Sequence, residues 1–419
     1  MKGFVVGSGF FLIYFSLRIP LVINSAILVG ISSLVFLFLS NSNVLFSVVI
    51  SKIIAVFFVA LVFVSVFVVV FSVCHTTYDF SRLDSVYSNL ASYVSLVFFV
   101  VAVKSYFEFE DITFEVSRLV YIIFLVQSLI IILALVDGRF LELVQVFQSA
   151  ADAERAEKYN GTRGLALAGG QFFPLAAQFA IAELLSVYYL LVSKRRVFFR
   201  VVGYFIIVLA GLTAGRSSVI GFIFGLLYLL VCGELFRSAQ IFLSMCVCVL
   251  CSFIFVALTP VYSFVVDVFL PYAFEYIFSF LDGRGGEIES TNVLGRMYWS
   301  LDSYRGWLGY GRYSDGDHTF MYTDGGYMRN VLMFGYIGAF VVVICNLGVF
   351  YTIYRLSLIY VRRKKLTRLF LLLFLLYSLL HYKGDVLLHL VGAQIFLMSF
   401  LALLAVRFVS QRQHQLALR

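Results

Sequence analysis

The chain has 419 residues, of which 62% are hydrophobic and 13% charged, with a mean hydropathy of +1.00. A soluble domain has about 45–50% apolar and about 25% charged residues. This composition therefore excludes a soluble fold and is typical of a polytopic membrane protein. The net charge of +8 does not indicate nucleic-acid binding, because basic residues of membrane proteins set topology and contact anionic headgroups.

Twelve apolar segments follow one another along the chain, and a helix needs about 20 apolar residues to cross a bilayer. We therefore predict an all-α protein in which residues 1–419 form a single transmembrane domain. We expect the first segment to be retained as a signal anchor, since no small-x-small cleavage site follows it. The segments are residues 3–17, 20–39, 48–73, 90–107, 118–136, 172–192, 197–214, 217–233, 239–259, 326–353, 367–382 and 385–407.

Lysine and arginine clusters between these segments predict the orientation of the chain. With twelve crossings, the clusters at residues 194–196, 362–365 and 407–419 fall on one side, which we assign to the cytoplasm together with both termini. Two long polar loops, residues 137–171 and 260–325, then face the other side. Arginines in these loops lie on the side that the positive-inside rule disfavours, so we expect them to bind an anionic ligand.

The two loops contain weaker structural signals. Residues 141–158 have a helical periodicity that predicts a short interfacial helix. Residues 261–280 are aromatic and largely apolar, so they are expected to lie on the membrane surface or to re-enter it. Residues 282–286 are rich in glycine and predict a turn.

Arg163 and Arg216 are the first candidate ligand-binding residues. Arg163 lies between glycines in the first loop, and an arginine can donate two hydrogen bonds to a phosphate. Arg216 lies in a turn between two apolar segments, where a charge is costly and usually functional. Ser217 and Ser218 are expected to cap the next helix, whose N-terminus favours anions. The alternatives are a solvated loop arginine and an arginine that snorkels to headgroups.

The second loop mixes arginine with aromatic residues and glycine. Aromatic faces stack on sugar rings, and arginine binds phosphate or sugar hydroxyls. An interfacial aromatic belt is the alternative. The candidate substrate-binding residues here are Arg296, Trp299, Arg305, Tyr310 and Arg312.

His318 is the candidate general base of the second loop, because acidic residues flank it. Asp315 and Asp317 leave a divalent metal site with His318 open as an alternative, although we favour a site without metal or cofactor. Asp324 is a candidate catalytic residue and is expected to cap the helix of the tenth segment. Arg329, in that segment, is a further candidate anion contact.

Polar residues inside apolar segments usually face the interior of a helix bundle. They either line a substrate cavity or connect helices, and Glu183 is the candidate substrate-binding residue among them. These residues are Gln171, Gln178, Glu183, Asp385, His389 and Gln394.

The order of these features resembles the O-antigen polymerase and O-antigen ligase superfamily of bacterial inner membranes. Four short stretches carry the resemblance, and their order and spacing matter more than any one of them. They are Arg163-Gly164 through Gly169-Gly170 and Pro174, Gly215-Arg216-Ser217, Gly295-Arg296 with Trp299 and Gly309-Tyr310-Gly311, and Asp324-Gly325-Gly326-Tyr327 with Gly335 and Gly338.

The resemblance implies a GT-C-like fold with about twelve transmembrane helices and an active site facing the periplasm. It implies a metal-independent glycosyltransferase in which an acceptor hydroxyl attacks the anomeric carbon of a lipid-linked glycan and undecaprenyl pyrophosphate leaves. Arg216 and Arg163 would hold the pyrophosphate, with Arg296 or Arg312 assisting. His318 or Asp324 would assist the acceptor hydroxyl.

Three functions remain open at this point. The polymerase fits best, since His318 is followed by Thr319 where the ligase branch usually has asparagine. A ligase that transfers glycan to lipid A core and a flippase for the same lipid-linked glycan are the alternatives. The expected partners of a polymerase are the lipid-linked donor and acceptor, membrane lipids and a regulator of chain length.

Overall fold

A computed structural model describes residues 2–19, 24–40, 44–107, 111–157, 163–193, 196–232, 234–257, 289–316, 318–359 and 363–417. Within these ranges the chain is helical almost throughout, with one short antiparallel hairpin of β1 (Ser314–Asp315) and β2 (His318–Thr319). The helices are α1 (Lys2–Phe15), α2 (Ser25–Leu39), α3 (Val44–Val49), α4 (Lys52–Cys74), α5 (Arg82–Ala102), α6 (Ile112–Val136), α7 (Gly138–Gln145), α8 (Ala150–Glu157), α9 (Phe173–Val192), α10 (Val197–Ala214), α11 (Ser218–Val231), α12 (Leu235–Ala257), α13 (Glu289–Arg296), α14 (Ser303–Leu308), α15 (Gly326–Ser357), α16 (Arg363–Lys383) and α17 (Val391–Ala417).

Eight of the described helices are long and apolar enough to cross a membrane, which confirms the expected all-α membrane protein at this level. They are α4, α5, α6, α9, α10, α15, α16 and α17. Four shorter apolar stretches, namely α1, α2, α11 and the part Leu235–Cys251 of α12, overlap the remaining predicted segments. The number of twelve crossings stays a prediction.

Several helix boundaries differ from the predicted segments by five residues or more, and two of them lie next to the site. Helix α5 begins at Arg82 rather than at residue 90. Polar residues in its first two turns lower the hydropathy of the sequence there, although these residues are buried in the fold. Helix α17 begins at Val391 rather than at residue 385, because residues 384–390 form a connection in which Leu388 has a φ of 51°.

The long loops contain more regular structure than predicted. The interfacial helix expected over residues 141–158 consists of two short helices, α7 and α8, separated at residues 146–149. The aromatic segment at 261–280 and the turn at 282–286 lie outside the described residues.

Helix α9 is the centre of the bundle, and every residue from Leu175 to Leu191 is buried. Small residues allow its neighbours to approach closely, as in other membrane helices. A Cβ added to Gly221 of α11 would lie 2.1 Å from the Ala180 carbonyl oxygen of α9. One turn further along α11, a Cβ at Gly225 would lie 2.9 Å from Val187. This packing fixes α11, and the turn before it, against α9.

Hydrogen bonds between connections bring both long loops to one end of the bundle, called here the loop end. In the first loop, the carbonyl of Phe147 accepts a bond of 3.2 Å from the Arg18 amide after α1. In the second loop, the carbonyl of Gly311 accepts a bond of 2.5 Å from the Thr77 hydroxyl after α4. The loop end therefore collects the connections in which the candidate residues lie.

Basic residues gather at the opposite end of the bundle. Lys365 at the start of α16 pairs with Glu234 before α12. Arg368 donates to the Val231 carbonyl at the end of α11. This separation agrees with the predicted sidedness, in which these basic clusters and the long loops lie on different sides.

A kink in α15 anchors the second loop to the bundle. Gly335 interrupts the helix with a φ of 67°, and a Cβ there would lie 2.0 Å from the Trp307 carbonyl oxygen. The backbone amide of Tyr310 donates to the Leu332 carbonyl at 2.6 Å, and that of Gly311 donates to the Met333 carbonyl at 3.2 Å. The loop thus uses carbonyl groups that the broken helix leaves available.

Candidate functional site

Three basic side chains converge at the loop end where α9, α10, α11 and α16 meet. Arg163, before α9, donates from Nη2 to the Ala214 carbonyl at 3.2 Å. Arg216 lies two residues beyond Ala214, in the turn between α10 and α11. Lys383, the last residue of α16, lies within electrostatic range of both arginines. All three are half-buried, and we call Arg163, Arg216 and Lys383 the cationic site.

Local packing holds the cationic site together. The Arg163 guanidinium lies 5.2 Å from the centre of the Phe172 ring, and Phe172 precedes α9 with a φ of 57°. A Cβ added to Gly215 would lie 3.2 Å from Arg163 Nη2 and 3.1 Å from Ala176. Glycine at 215 therefore lets the arginine approach the turn that carries Arg216.

The electrostatics of the cationic site favour an anion. Like charges at short range repel, and the repulsion is stronger in partly buried positions than in water. An anion among the three side chains would offset this repulsion, and guanidinium groups can bind phosphate oxygens in pairs. The sequence predicted Arg163 and Arg216 as anion-binding residues separately, and the structure brings them together.

Glu183 lies below the cationic site inside the bundle. It is fully buried and lies seven residues along α9 from Ala176, which corresponds to about 10 Å of helix rise. A Cβ on Gly211 of α10 would be 2.7 Å from Glu183 Oε1 and 3.1 Å from Ser218 Oγ of α11. Glu183 is thus enclosed between three helices, and both roles, a substrate contact and a connection between helices, stay predictions.

A second group of polar side chains surrounds the buried carboxylate of Asp385, next to Lys383 in the chain. Arg82 at the start of α5 forms an ion pair with Asp385, and both side chains have no solvent exposure. Two further side chains donate to the same carboxylate, Tyr313 at 2.8 Å and Asn330 at 3.2 Å. We call Arg82, Tyr313, Asn330, His381, Asp385 and His389 the Asp385 cluster.

Tyr313 joins the second loop to this cluster. Its hydroxyl lies 3.2 Å from His389 Nε2 as well as 2.8 Å from Asp385. The guanidinium of Arg329 lies 3.8 Å from the centre of the Tyr313 ring, and that of Arg82 lies 5.0 Å from it. Arg329, predicted as an anion contact, therefore borders the Asp385 cluster through Tyr313.

In the Asp385 cluster, the ionised carboxylate of Asp385 balances the positive charge of Arg82. Burial raises the pKa of Asp385, but the positive charge of Arg82, followed by His389, His381 and Arg329, holds that pKa well below its ordinary value. Burial lowers the pKa of His389 to about 3, against the opposite influence of Asp385. At neutral pH the cluster thus contains a carboxylate paired with a guanidinium and a neutral His389.

Asp79, in the connection between α4 and α5, fixes the backbone next to Tyr313. Its carboxylate accepts the amides of Tyr313 at 2.6 Å and Ser314 at 2.8 Å, and the Ser81 hydroxyl at 2.6 Å. Burial raises the pKa of Asp79, but these hydrogen bonds outweigh burial and lower it. The second loop is therefore docked on the connection between α4 and α5 by half-buried hydrogen bonds.

Other predicted residues of the second loop lie on the outer surface of the loop end. Arg296 is exposed at the end of α13, while Tyr298 stacks on Tyr382 with ring centres 4.6 Å apart. Because Tyr382 precedes Lys383, the end of α13 approaches the helix end that contributes to the cationic site. Trp299 is 37% exposed.

Arg305 and Tyr310 contact each other rather than the cationic site. Arg305 Nη1 donates to the Tyr310 hydroxyl at 3.1 Å, and its guanidinium centre lies 4.7 Å from the ring centre. Arg312 is exposed, 5.9 Å from the Phe320 ring. The structure therefore brings these three residues to the loop surface.

His318 and Asp324 are both exposed. His318 lies in the β1–β2 hairpin, with its ring 5.6 Å from that of Tyr322. Asp317 lies outside the described residues, and among those described no group of three or more potential metal-binding side chains occurs.

Two capping predictions were wrong. The N-cap of α15 is Gly325 rather than Asp324, and its amide donates to the Thr323 hydroxyl at 3.3 Å. Ser217 occupies the N-cap of α11 but its side chain makes no capping bond.

Sequence reasoning missed Arg82, Tyr313, Asn330 and the charge of Lys383. Arg82 had a detectable signal, because Arg82, Val86, Asn89 and Tyr93 recur at helical spacing on one buried face of α5. Tyr313 and Asn330 had none, since their partner Asp385 is more than 50 residues away along the chain.

Comparison of the chain with models of known protein families gives no match, and comparison with curated protein sequences gives none. The resemblance to the O-antigen polymerase and ligase superfamily therefore depends on the motifs and their order alone.

Proposed function

We propose that this protein is an O-antigen polymerase, which joins undecaprenyl-pyrophosphate-linked oligosaccharide repeat units. The observation that supports this most is the convergence of Arg163, Arg216 and Lys383 at the loop end. A diphosphate is the anion whose charge and oxygen geometry suit several basic side chains at once.

The proposed reaction transfers a glycan from one lipid carrier to another. The acceptor hydroxyl oxygen forms a bond to the anomeric carbon of the donor, and the bond from that carbon to the diphosphate oxygen breaks. The electron pair leaves with undecaprenyl pyrophosphate, and the acceptor proton passes to a base of the second loop or to water. Negative charge develops on the leaving diphosphate, so basic groups already in position stabilise the transition state.

Residue roles follow from position. Arg163 and Arg216 would bind the diphosphate, with Lys383 as a third positive charge. Arg296 would assist from α13, whose end approaches α16 through Tyr298. His318 or Asp324, exposed on the second loop, would assist the acceptor hydroxyl as it enters from the loop end.

The proposed topology has twelve crossings, made by the eight long helices and the four shorter apolar ones. Both termini would face the cytoplasm of a bacterium and the loop end would face the periplasm, because the basic clusters lie at the opposite end. The substrates, which are lipids, would then reach the cationic site at the outer surface of the inner membrane.

One reconstitution experiment tests this function. Purified protein in lipid nanodiscs is incubated with a single synthetic lipid-linked repeat unit, and products are separated by size. We expect a ladder of polymers and release of undecaprenyl pyrophosphate, with the same ladder in the presence of a metal chelator. Transfer of glycan only when lipid A core is added would instead identify a ligase. Movement of the intact lipid across a bilayer without a new glycosidic bond would identify a flippase.

A further inference from the structure

A half-open cavity of about 580 Å³, with both polar and apolar walls, lies at the loop end, apart from the cationic site. Its walls are the turn after α1, the start of α2, the face of α5, the start of α17 and the first long loop. Its volume is within the range of about 300–1,000 Å³ that is usual for small-molecule sites. Its polar lining consists of Ser16, Arg18, Asn24, Ser88, Ser92 and Ser149.

Backbone contacts give the cavity fixed walls. The amide of Gly169, in the first loop, donates to the Phe15 carbonyl at 2.8 Å, and the Arg18 amide donates to the Phe147 carbonyl at 3.2 Å. A Cβ on Gly169 would lie 2.2 Å from the Ser16 carbonyl oxygen, so the loop and the end of α1 are in direct contact. The first loop is thus attached to α1 on both sides of the cavity.

The lining offers both donors and acceptors of hydrogen bonds. The hydroxyls of Ser16 and Ser88 donate to the carbonyls of Ile13 and Asp84 at 3.0 and 2.8 Å, so their oxygens keep acceptor capacity. Asn24 accepts the Ala26 amide through Oδ1 at 2.9 Å, which leaves its NH₂ group as a donor. The exposed Arg18 adds a guanidinium. A ligand that both donates and accepts, such as a sugar, matches this lining.

An anionic headgroup matches the cavity less well. Among the described residues of the lining Arg18 alone is charged, and the Ser16 and Ser88 hydroxyls already donate to backbone carbonyls, so they would offer a phosphate lone pairs rather than protons. The positive charges suited to a diphosphate converge elsewhere, at Arg163, Arg216 and Lys383. The chemistry of the cavity therefore differs from that of the cationic site.

The two sites are close enough for one glycan. Gly169 lines the cavity and Arg163 belongs to the cationic site, and six residues of chain span at most about 20 Å even when fully extended. We propose that the cavity binds a neutral sugar residue of the lipid-linked glycan while its diphosphate occupies the cationic site. This inference rests on the proposed function, since it assigns a sugar subsite to the same substrate.

The test measures sugar binding without catalysis. The probe is the repeat-unit oligosaccharide released from its lipid carrier by mild acid, titrated into purified full-length protein by calorimetry. We expect Arg18→Ala, which removes a surface donor, to weaken binding about tenfold, the loss typical of one charge-assisted hydrogen bond. Ala91→Phe, which fills the cavity, should abolish binding. Arg139→Ala is the matched control, because Arg139 is an exposed arginine of the first long loop that lies outside the lining.

Several results would overturn the sugar subsite. These are no binding to the wild-type protein, equal binding by Arg18→Ala and wild type, or competition by glycerol phosphate, which would indicate a lipid headgroup. Failure of the proposed function is separable from these results. A polymer ladder without oligosaccharide binding refutes the cavity alone, whereas oligosaccharide binding without a ladder refutes the polymerase alone.

Discussion

The cationic site and the Asp385 cluster lie side by side, since Lys383 belongs to one and Asp385 to the other, yet their charges are arranged oppositely. Asp385 is fully buried, pairs with Arg82 and accepts bonds from Tyr313 and Asn330. The cationic site is half-buried and brings positive charges together. A paired and enclosed group stabilises a fold, whereas basic side chains gathered at a partly open position can bind an anion.

Because of this difference, we expect mutations in the two groups to have different consequences. Changes in the Asp385 cluster should act on folding, because the cluster connects α5, α15, α16 and the second loop. Changes in the cationic site should act on activity with little effect on folding. Each prediction below tests one side of this division.

The largest effect on stability is expected for Asp385→Asn. The substitution leaves the buried Arg82 without its counter-charge, and breaking a buried pair costs about 3–5 kcal/mol. Thermal unfolding of the purified protein measures the effect. Arg118→Ala, which removes the partly exposed pair with Glu115, serves as the control and should change stability by about 1 kcal/mol or less. Equal melting temperatures for the two variants would refute the structural role of the cluster.

Arg216→Ala should reduce polymerisation strongly while leaving the melting temperature unchanged. Removing one group that stabilises developing negative charge usually lowers the rate by about 10²–10³-fold. Arg216→Lys should restore activity only in part, because lysine lacks the planar fork of donors. Rates are measured from the ladder assay at saturating substrate. Full activity in the alanine variant would remove Arg216 from the site.

Acidification should destabilise the protein through His389. Its pKa is lowered to about 3 in the fold and is about 6.5 in an unfolded chain. The unfolded state therefore binds more protons between these values, so stability falls as the pH decreases from 7 towards 4. His389→Gln, which cannot be protonated, should flatten this dependence. Parallel curves of melting temperature against pH for wild type and variant would contradict the prediction.

Gly215→Ala should have the smallest effect. The added Cβ would approach Arg163 Nη2 to 3.2 Å, so the guanidinium must shift by a few tenths of an ångström. We expect a loss of activity of a few-fold, equivalent to about 1 kcal/mol, with an unchanged melting temperature. Gly138→Ala, where a Cβ meets nothing within 4 Å, is the control and should keep full activity.

The apolar pattern predicted most of the fold, and the exceptions have physical causes. The apolar pattern missed the first turns of α5 because Arg82 and Asn89 are polar, although partners distant in sequence bury both. The start of α17 was placed too early because the connection at residues 384–390 is itself apolar in part. Hydropathy detects burial in lipid but not burial of polar groups against each other.

The candidate site was predictable only in part. Arg216 was found because it interrupts two apolar segments, where charge is costly, and Arg163 because it lies between glycines on the side that the positive-inside rule disfavours. Their joint position with Lys383 depends on the close packing of glycines such as Gly221 against α9, which no local pattern specifies. Tyr313 and its contact with Asp385 likewise depend on how the second loop docks.

Calorimetric titration of inorganic pyrophosphate into the purified protein at low ionic strength tests the central claim most directly. Wild type and Arg139→Ala should bind pyrophosphate with the same affinity, and Arg216→Ala should bind it about tenfold or more weakly, since a charge-assisted bond is lost. Equal affinity of Arg216→Ala and wild type, or no binding to wild type, would contradict a diphosphate site formed by Arg163, Arg216 and Lys383.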